Sequence, residues 1–238
     1  MSEDIKKIIK EKSDKGVLRL VMNNLDYKNA LSKKMMSMLR DEIESASSDK
    51  SIKVIVLAAK GNVFCSGHDL KEITAARENK DNGKEFYQDL FDSCSALMQL
   101  IVNTPQPIIA EVDGVATAAG CQLVASCDLA IASNESRFAT PGVNLGLFCS
   151  TPMVALSRNV NKKNAMEMLL TGDFIDASKA KEIGLINNLV QKEELTLEVT
   201  ELAEKIASKS SMTVSTGKQA FYAQAEMDLS AAYKYTSK

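Results

Sequence analysis

The stretch PQPIIAEVDGVATAAGCQLVASCDLAIASNESRFATPGVNLGLFCSTP, Pro105 to Pro152, decides how the chain is read. It is apolar, crowded with small residues and punctuated by Gly114, Gly120, Gly142 and Gly146. Small residues let one backbone approach another, or a ligand, closely. Ile108–Val112 and Leu129–Ala132 have the length and apolar character of buried strands. Between them Asp113-Gly114 makes a turn, and Ala118–Ala125 reads as a short helix of small residues. Arg137-Phe138-Ala139 and a glycine-rich loop between Pro141 and Pro152 follow. A stretch of this kind builds a site out of main chain.

Towards the N-terminus, residues 1–16 read as a polar lead-in or the start of a strand. Val17–Met22 alternates well enough for a strand, and the turn formers of residues 23–29 make a loop. Ser32 caps a helix whose Met35, Met36, Leu39, Ile43 and Ala46 fall at helical spacing. Ile52–Ala59 is a buried parallel strand leading into the loop Lys60–Leu70, which opens a helix. After a charged link over 77–83, Phe86–Val102 forms a long amphipathic helix ended by Pro105 and Pro107. Towards the C-terminus, helices are expected at about 151–159, 162–170 and 177–183, a short strand at 185–190, then helices at 193–209 and 213–225. Strands interleaved with helices, then helices alone, give an α/β fold with a helical C-terminal part. The corresponding division is 1–190 and 191–238.

With 238 residues, the chain is long enough for a sizeable core, and its 45% apolar and 25% charged content is that of a globular protein. A net charge of −2 with scattered lysines carries no nucleic-acid footprint. The charged MSEDIKKIIKEK start lacks the apolar core of a secretory signal, and no run of about 18 apolar residues occurs. These features lead to the expectation of a cytoplasmic protein without membrane insertion, an organelle matrix being the variant if a leader is missing. Cys65, Cys94, Cys121, Cys127 and Cys149 are odd in number and form no CxxC pair. With His68 the single histidine, no metal site is expected and the thiols read as reduced core residues.

Ser66-Gly67-His68-Asp69 holds the letters of a hydrolytic triad, but adjacent residues cannot stack as nucleophile, base and orienter. Cys149 is a candidate nucleophile whose imidazole partner could only be His68. No GxGxxG follows a strand, and the loop at 60–70 lacks the Lys-Ser/Thr of a P-loop. Main chain remains. The Gly67-His68 loop and the start of the helix at Ala118-Ala119-Gly120 can each offer free N–H groups. Converging on one carbonyl oxygen, two such donors make an oxyanion hole; otherwise these are tight packing turns.

Asn29-Ala30-Leu31, Phe64 to Lys71, Asp113-Gly114 through Gly120-Cys121-Gln122-Leu123 to Cys127-Asp128, Phe138–Gly146, and Leu169–Gly172 with Ala177–Val190 recur in one order. On these motifs the chain, from Val17 to about Ala225, resembles the enoyl-CoA hydratase/isomerase (crotonase) superfamily. The resemblance implies a crotonase-like ββα spiral core, a helical C-terminal trimerisation region, and a homotrimer or dimer of trimers. It also implies an acyl-CoA or enoyl-CoA ligand, with coenzyme A entering as part of the thioester rather than as a tightly bound cofactor. His68 and Ala119 match the family's two backbone oxyanion donors. Ala30, Cys65, Ser66 and the segment His68-Asp69-Leu70-Lys71 match positions lining coenzyme A. A basic residue of the family near the phosphates aligns with Asp26, and Lys28 nearby is its substitute.

The departures concern acid–base chemistry. Family hydratases carry one glutamate at the position of Gln122 and a second at that of Gly142, and isomerases usually keep the second. A carboxamide orients water but cannot take its proton, and glycine has no side chain. A general acid or base contributes about 10²–10⁴-fold, so weak or atypical activity, or silent binding, is expected. The resemblance also implies a final amphipathic helix, which this chain is expected to lack, whether absent from the protein or only from this chain.

Overall fold

A computed structural model describes residues 7–238, so the lead-in reading of residues 1–6 lies outside it. The first strand, β1 (Ile8–Lys12), pairs antiparallel with β2 (Val17–Met22), Ile8 opposite Met22. It is a largely exposed edge strand, so it has no apolar alternation to betray it. Helix α1 (Lys33–Ser48) follows, its first turn capped by Ser32 Oγ accepting from Met35 N at 3.1 Å.

Thereafter strands come in pairs that part company. The pairs are β3 (Val54–Ala59) with β4 (Val63–Cys65), β5 (Ile108–Val112) with β6 (Val115–Thr117), and β7 (Leu129–Ser133) with β8 (Arg137–Ala139). In each, the first strand joins a large sheet and the second a small one. Helices α2 (Leu70–Ala76) and α3 (Lys84–Asn103) follow the first pair, and α4 (Ala119–Ser126) joins the second to the third. Helices α5 (Ser150–Asn159) and α6 (Lys162–Thr171), the two-residue β9 (Ile175–Asp176) and α7 (Ala177–Glu182) come next. They lead to β10 (Asn188–Val190), then α8 (Leu195–Ala207), α9 (Ser211–Ala225) and α10 (Leu229–Thr236).

The large sheet runs β1-β2-β3-β5-β7-β10 and the small one β4-β6-β8-β9. All pairings are parallel except β1–β2 and β8–β9. Two strands then one or two helices, repeated, is a ββα spiral. The short strands of the small sheet were missed as strands because three residues are too few to show a period.

Strand pleat sends β3 both ways. Ile55 and Leu57 enter the main core with Phe64, Leu90, Leu97, Ile101 and Phe138, while Val54 and Val56 meet Leu195, Val199 and Ala203 of α8 on the other face. Each fully buried large apolar side chain contributes about 1.5–3 kcal/mol. Glu111 bridges the sheet and α8. Arg19 grips it with Nε at 2.9 Å and Nη2 at 2.6 Å, and Thr196 Oγ1 donates to it at 2.7 Å. At the far end α9 is latched by Lys218, whose buried ammonium donates to Asp128 at 2.7 Å and to the carbonyls of Ile101 and Gln106 at 3.0 Å. Tyr222 donates to the other Asp128 oxygen at 3.0 Å. Burial pulls the Lys218 pKa down, opposed chiefly by the Asp128 charge and its hydrogen bond.

Candidate active site

The site grows from a seam between two loops. Ser66 N donates to Lys28 O at 3.2 Å, Leu31 N donates to Gly67 O at 2.7 Å, and Leu31 and His68 form an isolated parallel bridge. In that pairing the neighbouring Gly67 carbonyl, not His68's own amide, serves Leu31, so the His68 N–H points away from it. Asn29 locks the seam from beneath. Fully buried, with φ 50°, it donates to Lys60 O at 3.0 Å and Val63 O at 2.7 Å, and accepts from Asn24 N at 2.8 Å. This brings Lys28, Ala30, Ser66 and His68 together.

The seam lies on the start of α4. Gly67 has φ +91°, a conformation L side chains resist, and a Cβ there would stand 3.0 Å from Ala118 Cβ and 3.5 Å from Ala119 N. Gly120 packs still closer: a Cβ would come within 2.2 Å of Cys65 O. Ala118, before the helix, holds φ 50° and ψ −119° and provides no side-chain cap. Its own N–H is used by Ala139 O at 2.9 Å. Ala119 therefore opens α4 with an N–H that has no partner within the helix.

Gln122 lies one turn into α4, buried, with Cys94 Sγ of α3 donating to its Oε1 at 3.8 Å. Gly142 sits in a 3-10 turn, Pro141–Leu145, and its N–H donates to Cys149 Sγ at 3.3 Å. A Cβ on Gly142 would lie 2.8 Å from that sulfur and 2.8 Å from the Leu147 carbonyl oxygen. The loop has closed over the place a side chain would use. Burial pushes the Cys149 thiol up, the Gly142 N–H opposing. The hydrogen bonds of Cys149 and His68 run to Gly142 and Leu31, so the structure does not join them as nucleophile and base.

The remaining sequence-derived positions divide. Lys28 and Leu70 are exposed, and Lys71 Nζ lies 4.8 Å from the centre of the Tyr27 ring, with Lys7 Nζ at 5.8 Å. Asp69 turns its carboxylate inward to cap α2, accepting from Lys71 N at 2.9 Å. Cys65 is wholly buried, its thiol pushed up to about 12 by burial. Sequence reasoning missed the partners Cys94, Phe91 and the Leu147 carbonyl. Phe91 and Cys94 stand three residues apart on α3, a spacing that signals only a helix face. Among the described residues no group of three or more His, Cys, Asp or Glu could hold a metal ion.

The family model for enoyl-CoA hydratase/isomerase matches residues 12–238. The chain belongs to the enoyl-CoA hydratase/isomerase family. It is 51% identical over 218 residues to a Rattus norvegicus protein named enoyl-CoA hydratase domain-containing protein 3, mitochondrial, covering 92% of this chain and 71% of the relative. The crystal structure of the human protein of that name superposes with a TM-score of 0.92 at 46% identity, over 98% of this chain and 89% of that one. A Mycobacterium smegmatis enoyl-CoA hydratase structure gives 0.92 at 44%, over 97% and 88%. The spiral α/β fold is thus that of the crotonase family. The cytoplasmic expectation is corrected by the same comparison: the rat, Xenopus laevis, mouse and human relatives are all named mitochondrial. Composition cannot tell the two compartments apart, since both are reducing and both hold soluble α/β enzymes. Among the described residues no helix is long and apolar enough to cross a membrane.

Proposed function

We propose that this chain binds a CoA thioester and polarises its carbonyl between the backbone N–H groups of His68 and Ala119. The observation that carries the reading is the contact of the Gly67 turn with the start of α4, where a glycine Cβ would stand 3.5 Å from Ala119 N. The helix offers no partner for the Ala119 N–H, and the bridge to Leu31 is made through the Gly67 carbonyl rather than the His68 N–H. A donor of this kind contributes about 10²–10³-fold to rate, so a pair can stabilise an enolate without any side chain. Ala30, Cys65, Ser66 and the His68–Lys71 segment border the coenzyme A path, with Lys28, Lys71 and the Tyr27 ring at its phosphate end.

The reaction is hydration, isomerisation or another enolate-forming step that needs little acid–base help, in a homotrimer or dimer of trimers within mitochondria. Gln122 and Gly142 stand where hydratases of the family carry glutamates. The closure of residue 142 favours a second reading, a catalytically silent acyl-CoA-binding oligomer. Calorimetry with acetyl-CoA, and assays of crotonyl-CoA hydration and 3-enoyl-CoA isomerisation on purified protein, separate the two. Binding with turnover at least about 10²-fold below a two-glutamate hydratase is expected. Robust turnover would sink the argument from the missing carboxylates, and no binding by the folded oligomer would sink both readings.

A further inference from the structure

Among the described residues two buried side-chain polar atoms have no hydrogen-bond partner, His68 Nε2 and Gln106 Oε1. Gln106 is otherwise occupied, its amide nitrogen donating to Ala46 O at 3.0 Å and Ile52 O at 3.3 Å. His68 Nε2 is different, because it lies on the residue that supplies a backbone donor to the proposed site. Nδ1 stands 3.3 Å from Leu31 O. A carbonyl only accepts, so the proton is on Nδ1 and the lone pair on Nε2. Burial holds the imidazole pKa below its ordinary value, which keeps the ring neutral and the lone pair available.

The ring's surroundings fix where that lone pair belongs. The imidazole meets Phe91 edge to face, centroids 5.6 Å apart at 79°. Phe91 and Cys94 are three residues apart on α3, hence on one face, and Cys94 in turn contacts the Gln122 carboxamide at 3.8 Å. The His68 ring and the Gln122 amide therefore both meet one face of α3, through Phe91 and Cys94. A buried acceptor left without a donor costs about 1–3 kcal/mol, and a native fold keeps such an atom where a ligand or water completes it.

We propose that His68 Nε2 is a ligand-recognition group, accepting a hydrogen bond from an O–H or N–H donor of the bound CoA thioester beside the polarised carbonyl. This rests on the acyl-CoA reading above. It gives His68 two separable duties, a backbone donor that any residue but proline could supply and a ring acceptor that needs histidine. Two donors share this chemistry: an amide N–H of the pantetheine arm, present in every CoA thioester, and a hydroxyl on the acyl chain of a 3-hydroxyacyl-CoA.

Because His68 is the only histidine in the chain, its ring nitrogens can be observed alone. Histidine ¹⁵N NMR of the intact protein, titrated with acetyl-CoA and with 3-hydroxybutyryl-CoA, should show the unprotonated Nε2 resonance moving towards that of a hydrogen-bonded nitrogen. A response to both ligands assigns the donor to the arm, and a response to the hydroxyacyl ligand alone assigns it to the chain. His68→Phe, which keeps the backbone N–H, should weaken the responding ligand about 5- to 10-fold by calorimetry. An Nε2 resonance moved by neither ligand while both bind would overturn the proposal and leave the acyl-CoA reading standing. That wild-type measurement decides the matter even if the variant does not fold. Failure of both thioesters to bind folded wild-type protein would overturn the acyl-CoA reading and this proposal together.

Discussion

On the reading proposed above, positions 122 and 142 both stand where hydratases of the family carry a glutamate, and they differ in two ways. Gln122 is nearly isosteric with the absent glutamate, buried on a regular helix against Cys94. At 142 there is no room for any side chain, because the Leu147 carbonyl and the Cys149 sulfur occupy its space. One is a change of chemistry in an unchanged place. The other is a position closed by its own loop, with Cys149 Sγ holding the Gly142 N–H. The seam between residues 65–68 and 118–120 is a third case, where backbone packs on backbone and side-chain substitution cannot remove the donors.

The sharpest test is at the seam itself. Gly120→Ala should destabilise at or beyond the ~3 kcal/mol upper end of ordinary overpacking, since a Cβ would meet Cys65 O at 2.2 Å. Denaturant melts would show it, and a loss under about 1 kcal/mol would mean the seam is soft. Gly142→Glu should cost about 1–3 kcal/mol as the 147–149 segment is displaced, with no gain of crotonyl-CoA hydration. Hydration gained at full stability would erase the distinction drawn between the two positions. Gln122→Glu should cost about 1–2 kcal/mol, because the carboxyl is buried beside a thiol that is a weak donor. Its pKa should be raised, and hydration should rise by up to about 10²-fold.

The smallest effect is one of pH. The folded-state pKa of His68 lies below the unfolded value of about 6.5, so the fold disfavours the charged ring. Above that value both states hold neutral imidazole and the full stability is present. As pH falls below it the unfolded chain takes up the proton first, and stability drops until the folded pKa is reached. Between neutral pH and pH 5 the thermal midpoint of wild type should fall further than that of His68→Phe.

How much of this could be read in the chain follows the physics of each part. Strands with five or six apolar residues, the Ser32 cap and the long α3 stripe announce themselves by period and capping chemistry. The positions of His68, Ala119, Gln122 and Gly142 could be named because spaced motifs carry them. The three-residue strands β4, β6 and β8 could not, and the exposed edge strand β1 was read only as one of two alternatives. Contacts across the fold were also invisible: nothing local in Leu147 says that its carbonyl closes position 142, or in Phe91 that it meets His68. Compartment was misread because nothing in a folded domain's composition records it.

The Lys218 latch has a consequence for the order of assembly. Its three partners lie 90 to 117 residues earlier in the chain, in the last turn of α3, at the bend before β5 and at Asp128 before β7. Contacts that distant form only after the intervening loops have closed, at a cost in chain entropy. An ammonium that must lose its water before it finds those partners is a poor nucleus for folding. Helix α9 is therefore expected to dock last and leave first, so amide exchange along Ser211–Ala225 should outpace that of β3 and β5 in the same molecule.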